Sequence, residues 1–203
     1  EDVDTPVTFS ADGKRLGWIR QFPQSGETSL FVANSDGTNQ QKIASRQRPK
    51  RFNAGTPVGP SWAPEGDIVA CPVAGPENGA DRHAVMLIDL KTGTETEATP
   101  HRWSFVQQVV WAPHAAGLIV AAQEQQGGPN QLWYIGHPRG EVERITNDLN
   151  NYNGISVSAD GGTIATVQSQ ASSSVWLLPN GKAESATKVT SGTNEGAGGV
   201  ALM

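Results

Sequence analysis

The stretch Val7-Thr8-Phe9-Ser10-Ala11-Asp12-Gly13, followed by the apolar run Leu16-Gly17-Trp18-Ile19, decides the reading of this chain because it returns three more times. Its counterparts are Pro60-Ser61-Trp62-Ala63-Pro64-Glu65-Gly66, Val109-Val110-Trp111-Ala112-Pro113-His114 and Ser156-Val157-Ser158-Ala159-Asp160-Gly161. Each leads into an apolar run of its own: Ile68-Val69-Ala70-Cys71, Leu118-Ile119-Val120-Ala121 and Ile164-Ala165-Thr166-Val167. Phe9, Trp62, Trp111 and Val157 are equivalent anchors, and the steps from 9 to 62, 62 to 111 and 111 to 157 are 53, 49 and 46 residues. Repeats of ~40–50 residues made of short strands have the size of a four-stranded propeller blade.

Two further runs complete each repeat. Leu30-Phe31-Val32-Ala33, Met86-Leu87-Ile88-Asp89, Leu132-Trp133-Tyr134-Ile135 and Val175-Trp176-Leu177-Leu178 read as third strands, each followed by a glycine (Gly37, Gly93, Gly140, Gly181) suited to a positive-φ hairpin turn. The fourth strand is short and charged, and its apolar member (Ile43, Ala98, Ile145, Val189) falls 34, 36, 34 and 32 residues after the anchor. Register in a sheet with a buried face tolerates little slippage, so this regularity predicts a meander with the anchor strand innermost and the charged strand outermost. The expected fold is all-β: a β-propeller of four consecutive four-stranded antiparallel blades at 7–56, 57–106, 107–153 and 154–198. Residues 199–203 repeat the pattern of an anchor strand and begin a fifth blade, so the segment is expected to be part of a larger propeller whose remaining blades are partners of this one.

Composition agrees: 36% hydrophobic residues with 23 Gly and 13 Pro suit many short strands and turns. A net charge of −5 disfavours nucleic acid as a partner, and no apolar run approaches the ~18 residues of a membrane span, so direct membrane insertion is not expected. The lone Cys71 lies in an apolar strand and is expected to pack as a small hydrophobe. Trp18, Trp62, Trp111 and Trp176 sit at strand positions that should be interior, with Trp133, leaving Trp103 in a connection. His83, His101, His114 and His137 are scattered over different connections without ligand-like spacing and are read as solvated loop residues. Asn34-Ser35-Asp36-Gly37-Thr38-Asn39 lacks the closing acid of a calcium loop and is read as a hairpin. No nucleophile elbow, zinc helix or phosphate loop occurs, so neither catalysis nor a cofactor is expected.

The turns Phe9-Ser10-Ala11-Asp12-Gly13 and Trp62-Ala63-Pro64-Glu65-Gly66 resemble the W-S-P-D-G turn of the TolB-like propeller repeats, WD-like relatives also seen in tricorn and dipeptidyl peptidases. The stretch from Leu132 to Gly161, with Arg144-Ile145-Thr146-Asn147-Asp148-Leu149-Asn150, is similar to bacterial propellers attached to serine/threonine kinase or winged-helix domains in large regulatory proteins. The third turn, Ala112 to Gly117, has lost the acid-Gly pair, and Arg139 replaces a more usual glycine. The resemblance implies a non-catalytic sensing or protein-binding module, extracytoplasmic or periplasmic, with no shared catalytic residues. The alternative is a propeller that gates substrate for a peptidase or other hydrolase domain elsewhere in the parent chain.

Inter-blade links and the links between second and third strands should share one rim, where binding concentrates. Arg46-Gln47-Arg48-Pro49-Lys50-Arg51-Phe52 and His101-Arg102-Trp103 are such links, and adjacent blades should bring them together. Arg48, Lys50, Arg51, Arg102 and Trp103, with Tyr152 from the next link, are therefore the expected contacts for a protein, an acidic peptide or a small anionic ligand, through charge-assisted forks and an exposed aromatic.

Overall fold

The computed structural model describes residues 5–55, 57–170, 172–192 and 195, so the strand read at 199–203 lies outside the described residues. The chain divides into two compact units, Glu1–Gln168 and Ser169–Met203. In the first, β1 (Thr8–Phe9), β2 (Arg15–Phe22), β3 (Glu27–Asn34) and β4 (Gln41–Gln47) form an antiparallel sheet in chain order. The second sheet holds β5 (Arg51–Phe52), β6 (Ser61–Trp62), β7 (Ile68–Glu77), β8 (Ala80–Asp89) and β9 (Glu95–Glu97), with β5 and β6 both paired to β7. The third holds β10 (Phe105–Trp111), β11 (Gly117–Gln123), β12 (Gln131–Gly136) and β13 (Val142–Arg144). The fourth repeat forms two hairpins that are separate sheets: β14 (Asn151–Val157) with β15 (Ile164–Ser169), and, in the second unit, β16 (Trp176–Leu177) with β17 (Thr187–Lys188). The all-β propeller architecture is therefore present, with the anchor strand at one edge of each complete blade and the charged strand at the other.

Alternation along each central strand builds the core, because successive side chains point to opposite faces of a sheet. On β7, Val69 and Cys71 pack against Ile19, Leu30, Val32 and Phe52 of the blade-1 side, whereas Ala70 joins Trp103, Val106, Trp111 and Val120 on the blade-3 side. On β11, Leu118 and Val120 face the second blade while Ile119 and Ala121 meet Leu132 and Ile155. Both faces are buried, which is why these strands read as continuous apolar runs. Burial pushes the Cys71 thiol well above its ordinary pKa, making it the inert packing group expected.

Packing on neighbouring strands and blades decides which of the repeated positions are interior. Thr8 points toward the second blade, so Phe9, one residue on, points back toward the side where no earlier blade lies among the described residues, and it is 57% exposed. Trp62 and Trp111 have a preceding blade to pack on and are buried. Trp176 was expected to be interior, yet it is 52% exposed, and Val167 of the apolar run 164–167 is 64% exposed. Among the described residues β15 has one sheet partner, β14, and β16 forms a two-residue ladder with β17, so neither has strands on both edges as β7 and β11 do.

An innermost strand has one edge without a sheet partner, and the preceding blade supplies acceptors for it. Trp62 N donates to Thr8 Oγ1 (2.9 Å), Trp111 N to Ser61 Oγ (3.2 Å), and the Trp111 indole Nε1 to the Ser61 carbonyl (3.1 Å). Val110 occupies the corresponding position in the third blade and has no hydroxyl; Gln108, two residues earlier, accepts from Ile155 N (2.8 Å) and donates to its carbonyl (3.2 Å). A second row lies five or ten residues upstream of the anchors. Phe52 N donates to Thr28 Oγ1 (2.8 Å), Val106 N to His83 Nδ1 (3.3 Å) and Tyr152 N to the Asn130 carbonyl (3.0 Å).

The repeated turn motif has a matching hydrogen-bond set. In Ser10-Ala11-Asp12-Gly13, Ser10 Oγ donates to Asp12 Oδ1 (2.6 Å) and accepts from Arg15 N (3.0 Å), Lys14 N donates to Asp12 Oδ1 (3.1 Å), and Gly13 adopts φ +68°. Ser158 and Asp160 repeat each bond around Gly161. The turn Ala112-Pro113-His114-Ala115 has neither the hydroxyl nor a glycine at its positive-φ position, so His114 and Ala115 themselves adopt positive φ (57° and 51°). Gly117 is there because a Cβ would stand 2.4 Å from the Ile135 carbonyl oxygen and 2.7 Å from the Tyr134 ring.

Three stability outcomes follow, all read by urea denaturation. Ser61→Ala leaves the Trp111 N–H without its acceptor and should cost about 1–3 kcal/mol; an unchanged midpoint would show that the inter-blade stitch is dispensable. Ala115→Gly removes a left-handed side-chain clash and should stabilise by about 0.5–1 kcal/mol, whereas Gly117→Ala should destabilise by more than about 2 kcal/mol.

Candidate functional site

The hairpin between β7 and β8 is longer than its sequence pattern suggested. Its strands pair as far as Glu77 and Ala80 around Asn78-Gly79, both at positive φ (52° and 79°), the dihedrals of a type I′ turn. Asn78-Gly79 is the legible signal for this turn, but Pro72 and Pro76 disguise the strand leading to it. The hairpin borders a cavity of about 1300 Å³. Gln21 of β2, β5 and the residues after it, Arg102 and Ser104 of the next link, Phe105 at the start of β10, and Gln123–Gln126 from the last residue of β11 onward complete its border. Inter-blade links and second-to-third-strand connections do share this rim.

Sequence-predicted residues separate into those the rim gathers and those it does not. Arg51 and Arg102 line the same cavity, as adjacency of the blades required. Lys50 lies beside them in a neighbouring groove, whereas Arg48 and Pro49 border a separate hollow that touches only Arg51. Trp103 is not an exposed aromatic: it is 0% exposed, its backbone N–H and carbonyl bond His83 (3.0 and 2.9 Å), and its ring packs against His101 and Trp133. The link is drawn inward because that two-bond bridge adds it to the edge of β8. Tyr152 stands elsewhere, its hydroxyl donating to Asp148 (2.7 Å) and its ring packed on the Ile119–Ile155 cluster.

Charges on the rim are compensated. Both nitrogens of the Arg51 fork bond Asp81, and the guanidinium holds that carboxyl below its ordinary range. Arg102 Nε donates to Glu77 (2.8 Å) and Nη2 to both oxygens of Glu97 (2.8 and 2.9 Å). Between these pairs the lining is rich in amides: Gln21, Asn53, Asn78, Gln123, Gln125 and Gln126.

His83 is the largest departure from the sequence reading. It is a buried strand residue, not a solvated loop one, and its Nδ1 lies 2.6 Å from Asn53 Nδ2 while also accepting from Val106 N. That network places the ring proton on Nε2, 4.0 Å from Asp81 Oδ2. Burial depresses its pKa to about 4, so the ring is neutral near pH 7. His101 is likewise half-buried against Trp103, and His137 meets Trp111 edge-on. Asn34–Asn39 is the hairpin expected: Asp36 Oδ1 is occupied by the Thr38 N–H and hydroxyl (2.9 and 2.7 Å). Among the described residues, no group of three His, Cys, Asp or Glu side chains could hold a metal ion, and no helix is long and apolar enough to cross a membrane.

Comparison with known proteins identifies the fold. No protein-family model matches the sequence, and no curated protein matches it. Among solved structures, the chain is similar to TolB from Acinetobacter baumannii (20% identity, TM-score 0.59), covering 87% of this chain and 38% of that one. It is similar to a putative TolB from Agrobacterium tumefaciens (19%, TM-score 0.62), covering 83% of this chain and 58% of the other. The β-propeller domain of the Trilobed protease from Pyrococcus furiosus, described as having an open velcro topology, matches at 10% identity and TM-score 0.52 over 92% of this chain and 56% of that one. The chain thus spans between about two fifths and three fifths of these structures, and shares with them a TolB-like β-propeller fold.

A pH dependence follows from His83. With a folded pKa near 4 and an ordinary value of 6.5, the unfolded chain binds the proton more readily. The stability tied to the neutral ring is therefore complete above pH 6.5, declines as pH falls from 6.5 to about 4, and amounts to roughly 3 kcal/mol. His83→Gln, which retains an acceptor, should flatten the urea midpoint over that window relative to wild type; parallel profiles would remove His83 from the account.

Proposed function

We propose that this chain is a non-catalytic propeller module that binds a protein segment or small polar ligand at the rim cavity. One observation carries the reading: links and hairpins of successive blades converge on an open space of about 1300 Å³, ample for a peptide side of several residues. Charge compensation at Arg51 and Arg102 and the amide-rich lining favour hydrogen-bonding recognition over simple attraction of a polyanion. Ser104, whose hydroxyl borders the cavity, donates to the Gln123 carbonyl (3.0 Å), and neutral His83 is occupied by Asn53 and Val106 N. Both groups are committed to structure, which supports binding without turnover.

The resemblance of the repeats to bacterial regulatory propellers supports placing the module outside the cytoplasm, in a larger protein whose further blades and effector domain complete it. A gating role beside a peptidase is the second reading, favoured by the likeness to the Trilobed protease propeller.

Peptides selected from a random display library against the wild-type chain test the site. They should bind at least about tenfold more weakly to Asn78→Arg/Gln125→Arg, which crowds the cavity, and equally well to Lys14→Ala/Lys91→Ala, whose positions flank turns on the opposite rim. Equal loss in both variants, or none in the first, would remove the cavity as the binding site.

A further inference from the structure

Beside the rim cavity runs a second, smaller groove of about 550 Å³. Its floor follows from strand register. Val73 pairs with Ala84, Gly75 with Arg82 and Cys71 with Met86, and paired residues of antiparallel strands project to one face. Val73, Gly75, Ala84 and Met86 thus form an apolar floor on the face toward the first blade, and Arg82 continues it at the rim. Lys50 lies across Gly75: a Cβ on Gly75 would come 3.1 Å from Lys50 Cγ, so glycine makes room for the lysine stem.

The walls are cationic. Arg46, Lys50, Arg51, Arg82 and Arg102 line the groove. Three of them are held by carboxylates: Arg46 by Glu95, Arg51 by Asp81, and Arg102 by Glu77 and Glu97. Lys50 and Arg82 have no ion-pair partner among the described residues; Lys50 lies against Gly75, and Arg82 is the cross-strand partner of that same glycine. Five cations against four carboxylates leave one positive charge. The three paired arginines are fixed in place, so the unpaired lysine and arginine are the ones available to a ligand, at the end of an apolar trough.

We infer that this groove binds a monoanion with an aliphatic body, a terminal carboxylate engaging Lys50 and Arg82 while the chain lies on Val73, Ala84 and Met86. One surplus charge matches one carboxylate, the volume lies within the range of small-molecule sites, and a purely hydrated phosphate would leave the apolar floor unused. The two sources of this chemistry are a free medium-chain carboxylic acid and the C-terminus of a peptide ending in an aliphatic residue. The inference is independent of the reading of the rim cavity, although Arg51, Glu77, Arg82 and Arg102 border both spaces.

Calorimetric titration of the whole chain with octanoate, octylamine, N-acetyl-Gly-Leu and N-acetyl-Gly-Leu-amide tests it. At least one acid should bind with a submillimolar Kd, and its uncharged or cationic counterpart about tenfold more weakly. Lys50→Met should weaken the acid about fivefold or more, Lys50→Arg should retain it, and rising salt should weaken it. Lys50 is exposed, so neither substitution should disturb folding, which circular dichroism checks. Tighter octanoate assigns the site to small organic acids, and tighter N-acetyl-Gly-Leu to a peptide C-terminus. Binding of neither acid below about 10 mM, equal affinity for acid and amide, or no effect of Lys50→Met would each overturn the inference. Acid binding abolished by Asn78→Arg/Gln125→Arg but not by Lys50→Met would place the anion in the rim cavity instead, leaving the reading of that cavity intact.

Discussion

The unpaired inner edge of each anchor strand is the constraint around which the molecule is arranged. Backbone N–H groups on that edge point at the neighbouring blade, where water is excluded by Trp62, Trp111 and their surroundings, and a buried amide without an acceptor is costly. Thr8 and Ser61 supply hydroxyl acceptors one residue before the anchor, and Gln108 supplies an amide where Val110 cannot. These bonds set the spacing between blades at the centre. Once that spacing holds, apolar faces such as Val69–Cys71 against Ile19–Leu30 can close without register error.

The second row of stitches links architecture to the site. Where Thr28 accepts from Phe52 N, the next blade uses His83, and a histidine ring reaches farther toward the rim than a threonine hydroxyl. It brings Asn53 with it, and its Nε2 approaches Asp81, the carboxylate that fixes Arg51. The lining of the rim cavity is therefore connected, through His83, to the packing of the second blade against the third. Arg102 is fixed on the other side by Glu77 at the hairpin and Glu97 on the outer strand. The cationic side chains around the two spaces are mostly rigid forks held by acids, and the two without partners meet at Gly75, Lys50 lying against it and Arg82 pairing with it across the strands.

Particular residues show where sequence reasoning reached and where it stopped. The anchors, the apolar runs and the glycines at 37, 93, 140 and 181 were legible because each answers to a local rule, either strand periodicity or a positive φ. Convergence of the 46–52 and 101–103 links was legible too, since it follows from repetition. Trp103 and His83 were misplaced for one shared reason. A two-residue bridge between them pulls a nominal connection into the sheet, and nothing local in His101-Arg102-Trp103 announces a partner eighteen to twenty residues away. The neutralisation of Arg51 and Arg102 was equally invisible, because Asp81, Glu77 and Glu97 reach them only across folded strands.

The sequence by itself determined an all-β repeat with its strand order, its turn chemistry and the rim on which connections gather. Those features depend on neighbours a few residues apart and on a spacing that repeats. Tertiary structure alone decided which anchor side chains are buried, since Phe9 and Trp62 occupy the same repeat position and, among the described residues, Trp62 alone of the two has a preceding blade to pack on. It also decided which cations remain available, because an ion pair depends on distance through space and the strands of adjacent blades meet only after the chain has folded.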